Sequence, residues 1–165
     1  MQMAKFTARG MDEYISQLRI YSDNIEPVLN KAVYNGAKII ADAVTAEIRD
    51  LYEVAENEHG SDNHLLSGIT AAQKQGLLDG FGISHLQIED NDLRYVKLGF
   101  VGYNSTETKK YPKGQPNALI ARSVISGTSF RQKNGFMARA LKKTKAAAQA
   151  EIEQTVVAEL ENIQK

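Results

Sequence analysis

The sequence contains no cysteine and no tryptophan, and only three of its 165 residues are proline. Without a thiol the chain can build neither a disulfide framework nor a thiolate zinc site, which fits a reducing compartment such as the cytoplasm. No stretch approaches the roughly 18 consecutive apolar residues of a membrane span. The opening "MQMAKFTARG" lacks the apolar core of a signal peptide. The expectation is a protein that is neither inserted in a membrane nor exported by that route.

Acid is also missing, over one long stretch. Between Glu107 and Glu151 there is no Asp or Glu, whereas Lys109, Lys110, Lys113, Arg122, Arg131, Lys133, Arg139, Lys142, Lys143 and Lys145 supply ten positive charges. The whole chain is balanced at 20 acidic and 20 basic residues, so residues 1–107, with nine basic and sixteen acidic groups, carry a net charge of −7. The two regions are complementary in charge, a property that bears on association rather than on fold. A hydrophobic content of 42% and a charged content of 24% exclude a disordered or fibrous class. The length suits a single domain over residues 1–165.

What is present alternates between helical and strand periodicity. Met11, Tyr14, Ile15 and Leu18 fall at helical spacing and predict a short amphipathic helix that fades by Asp23. Pro27 suits the first turn of a second helix, whose apolar stripe runs from Val28 through Ile39, Ile40, Val44 and Ile48 to about Glu53. Thr70 is placed to cap a short helix through Leu78, which Gly80 and Gly82 would end. Alternating residues on either side of Asp90-Asn91-Asp92 predict an antiparallel hairpin. Asn117 is a plausible cap for a helix over 118–125 closed by Gly127, and a last helix runs from about Phe136 to the chain end. Its apolar face is expected to hold Met137, Ala140, Leu141, Ala148, Ile152, Val156, Leu160 and Ile163. Phe136, an aromatic opening an amphipathic helix after a loop, is expected to be a buried anchor. The polar loops 56–66 and 105–115 are expected to be mobile in the isolated protein and ordered by neighbours. The class is therefore α+β, with two long helices and shorter helices packed on a small antiparallel sheet.

Few residues suggest chemistry. His59 and His64 with Glu56, Glu58 and Asp62 are the right ligand types for a metal, but their spacing is not that of a helical ligand pair, and a solvated polar loop is the simpler reading. His85 stands alone at an expected strand start and reads as structural. "GLLDGFG" matches neither a P-loop nor a dinucleotide fingerprint. Carboxylate pairs such as Asp12 with Glu13, or Glu151 with Glu153, fall on expected helix surfaces, where solvation is the ordinary role. No active site or cofactor site assembles from these pieces. The signal that does stand out is electrostatic. Arg139, Lys142, Lys143 and Lys145 open the last helix, the end at which the helix dipole favours acids. Positive charge there points to phosphates or to an acidic protein surface, with a solvated basic face as the bland alternative.

Three segments in order carry a resemblance: "KQGLLDGFGIS" (Lys74 to Ser84), "VKLGFVGYN" (Val96 to Asn104) and "PNALIARSVISGTSFRQKNGFMARAL" (Pro116 to Leu141). With the long early helix before them, they resemble the tail-component family of tailed bacteriophages, small neck or tail-completion proteins. That resemblance implies a non-catalytic virion protein of the head-tail connector. It implies a ring of roughly six or twelve copies meeting other neck and tail proteins, such as head-closure, tail-tube or terminator rings, close to packaged DNA. A nucleic-acid-binding accessory protein using the basic segment 109–145 is the alternative reading. The divided charge also suggests how a ring closes: an acidic patch on the early helix, around Asp42, Glu47, Asp50 and Glu53, is expected to face Arg131, Lys133, Arg139 and Lys142 of the next copy.

Overall fold

A computed structural model describes residues 11–90 and 92–163. The opening segment 1–10 and Asn91 of the expected turn lie outside the described residues. The element order is α1 (Met11–Arg49), α2 (Ala71–Gly80), β1 (Phe81–Ile83), β2 (Gln87–Ile88), β3 (Arg94–Tyr95), β4 (Leu98–Phe100), α3 (Asn117–Ser126) and α4 (Phe136–Ile163). The fold is α+β.

The two helices expected before residue 53 are one. α1 runs unbroken for 39 residues with Pro27 inside it. An internal proline removes one backbone donor and crowds the carbonyl four residues earlier, at a cost of about 3 kcal/mol or more. Two features offset this cost. Pro27 and Asp23 are exposed, so water can reach the freed carbonyl. In addition, Arg94 of β3 donates to Glu26 Oε1 at 3.1 Å and to Asn30 Oδ1 at 3.3 Å, clamping the turn that contains the proline. The helix also stops earlier than expected, at Arg49: Glu53 instead pairs in extended form with Ile69, where Val54 N donates to Ile69 O and Ile69 N to Tyr52 O.

α4 packs antiparallel against α1 over most of its length. Lys31 meets Glu159, Asn35 meets Thr155, and Glu47 meets Arg139 and Lys143. Gly36 lets the helices approach, since a Cβ there would lie 2.6 Å from Ile152 Cγ1 and 3.1 Å from the Ala148 carbonyl. The buried line of α4 is Phe136, Ala140, Ala148 and Thr155. Leu141, expected on that face, is 49% exposed because it sits one residue beyond the line. Small residues at 140 and 148 set a close helix pair, and a leucine would not fit between them.

Thr70 caps α2 as expected, in a reciprocal capping box with Gln73. The hairpin is antiparallel but divided: Phe81, Gly82 and Ile83 pair with Phe100, Gly99 and Leu98, and Gln87 and Ile88 pair with Tyr95 and Arg94. At the division the ladder donor Lys97 N is taken by the Ser84 hydroxyl at 2.8 Å. His85 lies exposed in this break rather than at a strand start. The turn is closed with Asp92 at φ 62°, a left-handed conformation that Asp tolerates better than most side chains.

The cap expected at Asn117 is absent. Pro116 occupies the cap position of α3 without a side-chain hydrogen bond, and Asn117 is buried, donating from Nδ2 to Val101 O at 2.9 Å. It ties α3 to the end of β4, while Gly127 at φ 74° closes the helix. The core is formed by Val44, Ile48 and Leu51 of α1 and its end, Ile69, Leu77, Ile120, Ala121 and Val124, with Phe136 and Ala140 of α4. Phe136 is fully buried and meets Phe100 edge-on, with ring centroids 6.4 Å apart. Among the described residues, no helix is long and apolar enough to cross a membrane.

Candidate functional site

Of the eight residues singled out for an interface, Glu47, Glu53, Arg131 and Arg139 are engaged within the chain. Glu47, on the face of α1 turned toward α4, is buried. Lys143 Nζ donates to its Oε1 at 2.6 Å, and Arg139 Nε donates to Oε2 at 2.9 Å, with a terminal guanidinium nitrogen 2.8 Å from the same oxygen. The Lys143 hydrogen bond, strongest of the influences, and those from Arg139 hold the Glu47 carboxyl below its ordinary value, against the opposing effect of burial. An acid and a base expected to meet across a subunit boundary thus meet inside one chain. The antiparallel register of α1 and α4 puts residues 47, 139 and 143 at one level, a proximity that linear spacing does not reveal.

Arg131 is not offered to a neighbour either. It is only 5% exposed, donating to Gly68 O at 2.9 Å and to Gln73 Oε1 at 3.2 Å. Loss of hydration lowers its pKa. It locks the strand-like contact between Leu66 and residue 131 to the start of α2. Glu53 is matched by Lys74 at 2.9 Å, whose Nζ also donates to Leu51 O at 3.0 Å. Of the original set, Asp42, Asp50, Lys133 and Lys142 stay exposed, and none forms an ion pair among the described residues.

The histidine loop is similarly ordinary. His64 Nε2 lies 3.3 Å from Glu58 Oε1, and Glu56 accepts from Ala72 N at 3.4 Å. Among the described residues, no three His, Asp or Glu side chains converge to hold a metal ion. The glycines of "GLLDGFG" serve packing: a Cβ at Gly76 would sit 2.6 Å from Asn117 Oδ1, and one at Gly80 would overlap the Val101 carbonyl. Here α2, the end of β4 and the start of α3 cross at backbone contact distance.

The part of the charge pattern left over is more informative. Arg122, Lys133, Lys142 and Lys145 are exposed around the α3–α4 elbow, where Asn134 N donates to Val124 O and Arg139 to Asn134 Oδ1. At the other end of the molecule, Asp23 on α1, Glu89, Asp90 and Asp92 at the hairpin turn, and Glu153 and Glu161 on α4 are all exposed. Arg94 anchors the hairpin turn beside Glu26, and Lys31 anchors the last turns of α4 beside α1. The basic elbow is plain in the sequence, whereas the internal ties of Glu47, Arg131 and Arg139 depend on how α1, α2 and α4 pack. No protein-family model, curated protein or solved structure matches the chain.

Proposed function

We propose that the chain is a structural virion protein of the head-tail connector of a tailed bacteriophage. It works as one copy of a ring that joins or completes the tail at the head, without catalysing a reaction. The observation that carries this reading is the order of elements on the residues that bear the resemblance. "KQGLLDGFGIS" forms α2 and β1, "VKLGFVGYN" runs through β4, and "PNALIARSVISGTSFRQKNGFMARAL" forms α3, the elbow and the opening of α4. A long helix precedes them and is packed by the last one. Of the polar residues with the right types for chemistry, His64 meets Glu58 and Glu56 accepts from Ala72 N, and the charges left exposed suit contacts with neighbouring copies and with other neck and tail proteins.

A second reading, a nucleic-acid-binding accessory protein, is favoured by Lys109, Lys110, Lys113, Arg122, Lys133, Lys142 and Lys145, which are exposed and outside every ion pair of the described residues. Electron microscopy of the purified chain together with a salt titration of duplex DNA binding separates the two. Closed rings with a central opening support the connector. Single particles whose DNA affinity falls steeply and linearly with log salt support the binder.

A further inference from the structure

We infer that the ring closes through the two ends of the helix pair: the acidic end, formed by the hairpin turn, the turn of α1 around Asp23 and the last turns of α4, docks on the basic α3–α4 elbow of the next copy. This rests on the connector reading and replaces the contact suggested by the sequence, whose central residues Glu47, Arg139 and Arg131 are used within the chain.

Three observations point to a second copy as the occupant. First, the ends are opposite in sign, and each carries charges outside every ion pair of the described residues. Asp23, Asp90 and Glu161 are exposed outside every ion pair of the described residues, as are Lys133, Lys142 and Lys145. Two cations beside the acidic end, Arg94 and Lys31, are committed to Glu26 and Asp92 and to Glu159 respectively.

Second, the ends cannot reach each other. Both lie along α4, with Lys142 and Glu161 separated by about 28 Å of helix at 1.5 Å per residue. That is several times the screening length of about 8 Å at physiological ionic strength. Two complementary surfaces held apart on one rigid helix pair are the elements of a heterologous, head-to-tail interface, which generates a ring when its rotation closes. The formal net charge of zero means that copies do not repel one another at long range.

Third, each end also exposes apolar area, which charge alone does not require. Ile88 and Val157 are 51% and 56% exposed on the acidic side, and Phe130 and Leu141 are 43% and 49% exposed beside the elbow. Exposed charge pairs contribute little individually and serve mainly to steer and orient, so the apolar residues supply the contact that persists after encounter.

The test uses two full-length variants, each confirmed as folded by circular dichroism: Lys133→Glu/Lys142→Glu/Lys145→Glu, and Asp23→Lys/Asp90→Lys/Glu161→Lys. Sedimentation velocity of the unaltered chain should show self-association at an ionic strength of about 0.05 M that weakens markedly at about 0.5 M. Each variant alone should associate about tenfold more weakly or worse, because its two ends now carry the same sign. An equimolar mixture should recover association to within about threefold of the unaltered chain, since each end again meets its opposite. A mixture no better than its components overturns the contact. So does an unaltered chain that stays monomeric or associates independently of salt, or a basic-end variant that loses duplex DNA binding while still self-associating normally. Failure of the contact leaves the connector reading to be judged separately, by where the chain sits in tailed particles.

Discussion

Lys143 of the last helix donates to Glu47 of the first at 2.6 Å, across 96 residues of sequence. With Arg139 on the other carboxylate oxygen, the contact fixes the register of α1 against α4 at the end nearest the core. Glu47 is buried, but Arg139 and Lys143 keep side-chain exposures of 50% and 68%, so both cations remain hydrated if the acid is lost. Glu47→Gln should therefore destabilise by about 1–2 kcal/mol, less than a fully buried charged pair would. Chemical denaturation should give this loss, with Lys142→Gln within about 0.5 kcal/mol of the parent. Equal effects at the two positions would remove the special role of Glu47.

The same contact sets a pH dependence. The folded carboxyl of Glu47 lies below its ordinary value of 4.5. Its contribution is thus fully present above about pH 4.5 and is lost as pH falls through the lower folded value. The stability gap between the parent and Glu47→Gln should be constant near neutrality and close in acid. A gap that persists unchanged at about pH 3 contradicts the ion-pair assignment.

Phe136 is fully buried at the head of α4, against Phe100. Phe136→Ala should cost about 3–5 kcal/mol through lost burial and the cavity left behind. Equilibrium unfolding within about 0.5 kcal/mol of the parent would show that the anchor is not there.

Gly80 ends α2 where the Val101 carbonyl and the Asn117 amide cross it. A methyl group at this position forces backbone apart, so Gly80→Ala should lose about 1–3 kcal/mol. Gly82→Ala is the matched control, because a Cβ there meets nothing within 4 Å. If both variants unfold alike in urea, the crossing is looser than described.

Much of the fold was legible because it follows from local rules. Thr70 carries the side chain of a helix cap wherever it precedes a helix, and the alternation around residues 90–92 admits little but a hairpin. The errors arose where tertiary contacts override local preference. Pro27 reads as a helix start, yet Arg94 bridges Glu26 and Asn30 on either side of it, and α1 continues. Asn117 reads as a cap, yet its amide is required by Val101 O. The interface set suffered most, since Glu47, Arg131 and Arg139 look like solvated charges in one dimension and become internal ties only once α1, α2 and α4 are packed. The separation of charge itself was plain in the sequence; which acids face outward was not.

The most direct measurement of the connector reading is the position of the chain in a particle. Tailed particles produced by the cells that encode the chain would be purified and labelled with an antibody raised against it, then imaged by electron microscopy. Label at the junction of head and tail, on particles whose purified protein also contains the chain by mass spectrometry, is the expected result. Particles that are complete, infectious and devoid of the chain would contradict it.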